Sequence, residues 1–527
     1  MRLTFQYGCT SAWKAMAERL LSDPAPGFRP AGFYRGPAEG YRLLPFRFLR
    51  FDRDRCILVN DVGEYLMLSP SALHDFVQHR LSPTSAIYRD LKRKHFLADS
   101  VSEGALELLA AKYRTKKSFL RGFTGLHIFV VTLRCEHSCP YCQVSRVSAD
   151  RTRYDMSPET AEKAIDLMFR SPSPALKVEV QGGEPLLNFD LIRFIVEAVE
   201  ARNRRERRDI QFVVATNLAL VTDEMLEFFR EFHVFVSTSL DGPEFLHNAN
   251  RPRPGKNSYK LAIEGIRRAR AALGEDAVAA LMTTTRLSLE RPREIVDEYV
   301  AQGFRSIFLR PLSPFGFATK TKQAIGYSMT DFMGFYETAL GHILDLNRQG
   351  VDITETYAQL ILTKILTPFA TRYVDLQSPA GTGIGVAVYN YDADVYASDE
   401  ARMLAEMGDC SFRLGNLHRD SYEELFGGRL LRSVVENSCV ESLPGCCDCA
   451  YQVYCGSDPV FNYVTQGDVV GHRPTSDFCT KNMTIITLLL RLLEEGASET
   501  AKILLSWIWR KGPSQNAEPV GSGVDEP

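Results

Sequence analysis

From about residue 125, short apolar runs alternate with amphipathic stretches of roughly ten to fifteen residues, and this alternation limits the fold more than any other feature of the chain. The runs HIFVVTL, KVEVQGG, QFVVATN, VFVSTSL, VAALMTT and SIFLRPL have the length and composition of strands. Between them, TAEKAIDLMFR, LIRFIVEAVEARNRRE, DEMLEFFREF, YKLAIEGIRRARAAL and REIVDEYVAQG place apolar residues at helical spacing. Repeated β/α units of this kind build a parallel sheet. Six of them predict an α/β fold of the partial (β/α)6 barrel type over residues 116–315.

The flanks read differently. At 527 residues the chain is too long for one core. Residues 1–115 form a first module: PFRFLR and CILVNDVGEYLML alternate around Asn60, Asp61 and Gly63 as a β-ribbon, and Ser69 is placed to cap a helix. Ribbon followed by small helices suggests a winged-helix-like unit. Residues 316–375 read as a helical connection, 376–482 as an irregular cysteine-rich domain, 483–511 as C-terminal helices and 512–527 as a disordered tail. A net charge of −3 argues against nucleic-acid binding. The basic run RNRRERR closes a helix, where cations are favoured. No apolar stretch is long enough to span a membrane, since IITLLL stops at Arg491. The amino terminus lacks a secretory pattern, which points to the cytoplasm. Twelve cysteines, mostly clustered, then suggest metal or catalysis rather than disulfides, with Cys9 and Cys56 as ordinary small apolar residues.

The first cluster is LRCEHSCPYCQVS, with Cys135, Cys139 and Cys142 in CxxxCxxC spacing directly after the first barrel strand. Loops at the carboxyl ends of parallel strands are where barrels place chemistry. Three thiolates hold three corners of a cubane cluster and leave one iron open. Zinc with His137 as fourth ligand is the rival. With these residues in view the chain resembles the radical S-adenosylmethionine (SAM) superfamily. The resemblance implies a 4Fe–4S cluster on the three cysteines and SAM on its open iron. It also implies that Gly182, Gly183 and Glu184 of QGGEP receive the methionine amino group, that Ser239 of STSLDGP and Arg251 contact the ribose and carboxylate, and that Asn217 and the backbone of Tyr141 contribute further contacts. A packed aromatic is the plain alternative for Tyr141.

A second group, Cys446, Cys449 and Cys455 in CCDCAYQVYC, has CxxCx5C spacing, with Cys479 further on. It resembles the SPASM extension of radical enzymes that modify peptides, and implies one auxiliary 4Fe–4S cluster on all four thiols; zinc remains open here. The family's other auxiliary cluster has lost its ligands: Ala380, Ser398 and Pro459 stand in cysteine positions. Two clusters are expected, not three, although Cys410, Cys439 and Cys447 with Asp458 or Asp399 could rebuild a variant site. Asp399 follows the missing cysteine, where a related sulfatase-maturing family keeps a catalytic base; a turn aspartate is the alternative.

The first module resembles the peptide-recognition element of ribosomal peptide maturases, which captures a leader as an added strand. The whole assembly resembles the B-type His-Xaa-Ser system radical SAM maturase. That resemblance implies a substrate protein with His-Xaa-Ser repeats, a second radical SAM maturase as partner and an external electron donor. A different radical peptide enzyme, making thioether or carbon–carbon crosslinks or activating sulfatases, and a non-catalytic iron–sulfur scaffold are the alternatives.

Overall fold

The computed structural model describes residues 40–100, 104–144, 146–147, 150–495 and 499–509. Cys9 and the tail 512–527 lie outside the described residues. Among the described residues fifteen strands run in chain order: β1 Tyr41–Leu43, β2 Phe46–Arg50, β3 Cys56–Asn60, β4 Tyr65–Leu68, β5 Leu97–Asp99, β6 Leu126–Thr132, β7 Ala175–Gly182, β8 Asp209–Ala215, β9 Phe235–Ser239, β10 Val278–Leu281, β11 Ser306–Ile307, β12 Thr354–Glu355, β13 Val386–Tyr389, β14 Asp394–Tyr396 and β15 Arg413–Asn416.

Eight of them form one sheet in the order β10-β9-β8-β7-β6-β13-β14-β15. The first five are mutually parallel, β13 joins β6 in parallel, and β14 and β15 follow antiparallel. The period of two along β7 explains its placement: Leu176, Val178 and Val180 are buried under helices, while Lys177, Glu179 and Gln181 are half-exposed on the other face. Helix Pro158–Met168 covers the sheet because Ala161, Ala164, Ile165 and Met168 share one face, and Ser157 caps it by accepting from the Thr160 N–H at 3.1 Å. Burial of one such large aliphatic side chain is worth about 2 kcal/mol.

The sixth barrel strand departs from the sequence reading. Only Ser306 and Ile307 keep ladder pairing, and their partner is β12 rather than β10. Pro311 and Pro314 have no N–H to give. The nearby donors go to side chains: Leu309 N–H to Glu355 at 3.2 Å and Leu312 N–H to the Tyr327 hydroxyl at 2.6 Å. One link to the neighbouring segment survives, from Thr284 N–H to Arg310 O at 3.0 Å. The boundary drawn at residue 482 also shifts. Helix Asp477–Glu494 is continuous through it, so Cys479 sits in the first turn of a helix whose later turns bury Ile485, Ile486, Leu489 and Leu490.

The N-terminal elements bear out the ribbon: β2, β3 and β4 form an antiparallel sheet, and Ser69 caps Pro70–Val77 by accepting from Ala72 N–H at 3.2 Å. Their own core contains Leu58, Leu68, Phe76, Leu91 and Phe96. The basic run closes helix Phe189–Glu206, with Arg204 and Arg205 in its last turn and Arg208 donating to Phe169 O at 2.8 Å. Helix Glu499–Trp509 packs on its own domain through Leu504 and Trp507, whose indole N–H donates to Asn347 at 3.1 Å. Among the described residues, no helix is long and apolar enough to cross a membrane.

Candidate functional site

The CxxxCxxC loop leaves the carboxyl end of β6 and folds over the end of β7. Thr132 and Arg134 fix it there: the guanidinium of Arg134 grips Asp155 at 2.7 Å and donates to Leu187 O at 2.8 Å. Gly182 and Gly183 allow the approach. A Cβ on Gly182 would run into the Thr132 carbonyl oxygen, and one on Gly183 would meet the Leu133 carbonyl oxygen at 2.5 Å. The N–H groups of Gly183 and Glu184 donate instead to Thr132 O and Arg134 O at 2.8 and 2.7 Å. QGGEP and the cysteine loop therefore form one hydrogen-bonded unit.

Around the three half-exposed thiols stand two carboxylates. Glu184 is 1% exposed, and its carboxylate accepts from the Thr216 hydroxyl at 2.6 Å, the Asn217 N–H at 2.8 Å and the Leu186 N–H at 3.0 Å. Burial, reinforced by Glu136, nevertheless holds it up at about 8. Glu136 is half-buried, which alone would raise it. Hydrogen bonds from His137 and from Asn217 Nδ2, at 3.0 and 2.9 Å, leave it below the usual range. Cys135 Sγ, a Glu136 oxygen and a His137 nitrogen lie within 4.8 Å of one another. His137 Nδ1 is already shared with Glu136 and Asn217, at 3.0 Å each.

On the other side, Arg251 donates to Asp241 through Nε and an Nη, at 2.9 and 3.1 Å, and Asp241 also accepts from the Tyr141 hydroxyl at 2.6 Å and Thr283 N–H at 3.1 Å. Asp241 is fully buried. Cys139 lies in the field of this pair, its thiol pushed up to about 12 by burial. The side chain of Tyr141 is thus a packed, hydrogen-bonded ring with Arg251 5.3 Å above it. Ser239 ends β9 half-exposed, and Asn217 joins Glu184, Glu136 and His137. Gln181 Nε2, at the end of β7, is a buried donor without a hydrogen-bond partner among the described residues. Three thiols with acids, an unused donor and an anchored guanidinium fit a cluster with one open iron and a cosubstrate bearing an ammonium and a carboxylate.

The second cysteine group offers four thiols, the set that a closed cluster would take. Burial raises Cys446, Cys449, Cys455 and Cys479, and neighbouring thiols add to it for Cys446, Cys449 and Cys479, with Cys449 reaching about 12 and Cys479 about 11. Cations surround them: Lys364 donates to Cys455 O at 3.0 Å, Lys481 faces Cys455, and Arg473 faces Cys446 and Cys479. Asn482 is fully buried. Tyr357 donates to its Oδ1 at 2.6 Å, and its side-chain amide lies against the Cys455 thiol.

Where the second auxiliary cluster would sit, Ala380, Ser398 and Pro459 are buried. Ser398 has become a helix cap, accepting from Ala401 N–H at 3.2 Å, and Asp458 another, accepting from Phe461 N–H at 2.9 Å. Asp399, at the start of helix Asp399–Ala405, is held by Arg402 at 3.0 Å. Beside it, burial and surrounding carboxylates hold Glu400, which the sequence did not single out, up at about 8, and Asp458, a candidate ligand of the variant site, at about 7. Asp241 and Glu136 were likewise missed as site residues. Asp241 had a signal, since it lies two positions after Ser239 in STSLDGP.

The family model for the radical SAM superfamily matches residues 129–299. An uncharacterized protein of Methanocaldococcus jannaschii is 30% identical over 188 residues, which is 36% of this chain and 62% of the relative. The radical SAM cyclopropyl synthase TigE of Paramaledivibacter caminithermalis is 24% identical over 238 residues, 42% and 46% of the two chains. A serine-type anaerobic sulfatase-maturating enzyme of Bacteroides thetaiotaomicron is 34% identical over 140 residues, 26% and 33%. The chain thus spans less than two thirds of each of these relatives. In fold it is similar to native anSMEcpe with bound AdoMet, with a TM-score of 0.59 at 16% identity, covering 72% of this chain and 99% of that one. From its strand β6 to the helix that precedes β11, this chain carries a radical SAM domain.

Proposed function

We propose that the protein is a cytoplasmic radical SAM maturase acting on a ribosomally made peptide or protein, one with His-Xaa-Ser repeats. The observation that carries the reading is the juxtaposition of Cys135, Cys139 and Cys142 with Glu184 on one side and the Arg251–Asp241 pair on the other. It is supported by relatives named as sulfatase-maturating enzymes, and by anSMEcpe having been solved with AdoMet and a peptide.

When bound, the cluster on the first three cysteines would supply one electron to the sulfonium of SAM, releasing methionine and a 5′-deoxyadenosyl radical that takes hydrogen from the substrate. The chain's residues orient and shield. Glu136 supplies negative charge and Glu184 its carboxyl oxygens as acceptors for the methionine ammonium, with Gly182 and Gly183 leaving room for it. Arg251, oriented by Asp241, takes the carboxylate; Ser239, Asn217 and the Tyr141 backbone complete the contacts. Asp399 is the candidate to accept a substrate proton, and Glu400, held near neutrality, is a second. Cys446, Cys449, Cys455 and Cys479 would hold one auxiliary 4Fe–4S cluster for electron transfer. Among the described residues strand β2 is an edge of the N-terminal sheet, the place for a leader strand to add. A second maturase and an external reductant complete the system.

The test is anaerobic. The protein is reconstituted with iron and sulfide, given reductant and SAM, and assayed for 5′-deoxyadenosine; co-expression with a His-Xaa-Ser protein is followed by mass spectrometry. Absence of 5′-deoxyadenosine from protein with its three-cysteine cluster loaded overturns the enzymatic reading of the isolated chain. An unchanged substrate mass in the presence of 5′-deoxyadenosine overturns the substrate alone.

A further inference from the structure

The segment that carries three of the four C-terminal thiols also holds the N-terminal module. Residues 437–451 contain turns and bends but no helix or strand. Around the thiols the backbone hydrogen bonds are local: Cys446 and Cys447 N–H donate to Leu443 O at 3.0 and 2.9 Å, and Cys449 N–H to Cys446 O at 3.0 Å. Such bonds shape a turn without fixing where it sits. Ordering a loop costs conformational entropy at every residue, and a metal held by its thiolates offsets that cost, so that metal-binding free energy becomes folding free energy.

Ties from this segment to residues 40–116 are made by thiol residues or their immediate neighbours. Arg47, in the middle of β2, donates through Nε to the carbonyl oxygen of Cys447, next to Cys446, while its Nη1 holds Asp61 at 2.6 Å. Tyr454, next to Cys455, is fully buried, and its hydroxyl donates to Gly63 O at 2.7 Å in the turn between β3 and β4. A buried phenol needs that acceptor. Gly63 stands at φ +82°, and a Cβ there would meet the Tyr454 ring at 3.0 Å. Cys455 itself accepts on its carbonyl from Lys364 at 3.0 Å, and Lys364 O accepts at 2.8 Å from Lys116, which ends helix Ala105–Lys116. Packing agrees, since Ile57 and Val59 of β3 share one core with Tyr451, Tyr454 and Ile486. The Cys135–Cys142 loop, by contrast, shows no hydrogen bond to residues 40–116 among the described residues.

We propose that loading of the four-thiol site seats the N-terminal ribbon. With the thiols pinned, Cys447 O and Tyr454 stand where Arg47 and Gly63 meet them; without metal, β2, β3 and β4 loosen from the C-terminal domain. The inference rests on the reading of Cys446, Cys449, Cys455 and Cys479 as a metal site, and it makes peptide capture at β2 conditional on that site being filled.

The experiment is hydrogen exchange, read by mass spectrometry, on full-length Cys139→Ala protein, which lacks a ligand of the first cluster and keeps all four C-terminal thiols. It is compared metal-free and after anaerobic reconstitution with iron and sulfide. Loading to about four irons per chain is expected to slow exchange at residues 56–68 at least ~10-fold and to leave helix Phe189–Glu206 unchanged. Adding Tyr454→Phe should keep the iron content and cost residues 61–65 most of that protection. Unchanged exchange at residues 56–68 in iron-loaded protein, an equal slowing in the barrel helix, or full protection in folded Tyr454→Phe protein would overturn the inference. Protein that takes up no iron overturns the four-thiol reading itself, and the inference with it.

Discussion

The two cysteine groups differ in their surroundings as much as in their ligand number. Three thiols at the end of β6 face Glu136, Glu184 and an anchored Arg251, whereas four thiols in the C-terminal domain are encircled by Lys364, Lys481 and Arg473. Acid beside an incomplete ligand set suits a site that must admit a cation. Cations beside a complete set suit one whose own negative charge has to be balanced in a low-dielectric interior. Charge around each site thus says what ligand counting says, by a separate route.

The strongest way to break that contrast is to remove one thiol from each group. Cys139→Ala is expected to lower 5′-deoxyadenosine formation at least ~10³-fold, about 4 kcal/mol of barrier. Cys449→Ala should retain measurable SAM cleavage while losing peptide modification, with iron falling from about eight to about four per chain. Equal total loss in a folded Cys449→Ala protein whose first cluster is loaded would erase the division of labour.

Asp241→Asn comes next. It leaves the buried Arg251 without its counter-charge, so chemical denaturation should show a loss of about 3 kcal/mol, and SAM binding should weaken with it. A stable Asn variant with normal SAM affinity would remove Arg251 from the open site.

A smaller effect separates the barrel from its environment by pH. Burial pulls both His127 and His247 down to about 3, so they stay neutral in the folded protein. The unfolded chain protonates them below about 6.5 while the folded one does not, so stability falls as pH falls. Between pH 6.5 and 5 each histidine removes up to about 2 kcal/mol. Urea titrations at pH 7, 6 and 5 measure the slope, and His127→Gln should flatten it by about one proton. The smallest expected effect is electrochemical: Lys481→Met should lower the midpoint potential of the four-thiol site, read by spectroscopic titration, and leave the three-thiol site unmoved.

Much of this was legible in the residues. CxxxCxxC, QGGEP and STSLDGP are local patterns, and each is placed where a strand ends, so the order of the strands brings them together. The contacts that were not legible are long-range or depend on burial. Tyr141 and Asp241 are a hundred positions apart, and nothing in either segment announces their hydrogen bond. Glu400 reads as an ordinary helix-start acid until packing sets it among Asp375, Asp399 and Asp458. The shortening of β11 follows from prolines that were visible, but its exchange of partner to β12 depends on Glu355, some fifty residues away, taking up the Leu309 N–H. Residue spacing reveals what a segment is built to do. It does not reveal who stands opposite.

The pairing of β13 with β6 has a practical meaning for anyone dividing this protein. The C-terminal domain is stitched by backbone hydrogen bonds to the very strand that launches the first cysteine loop. A version shortened before residue 376 would therefore expose a raw parallel edge along β6, inviting self-association. The cysteine-rich domain is the selvedge of the barrel sheet, and the two halves of the chemistry should be produced, purified and evolved together.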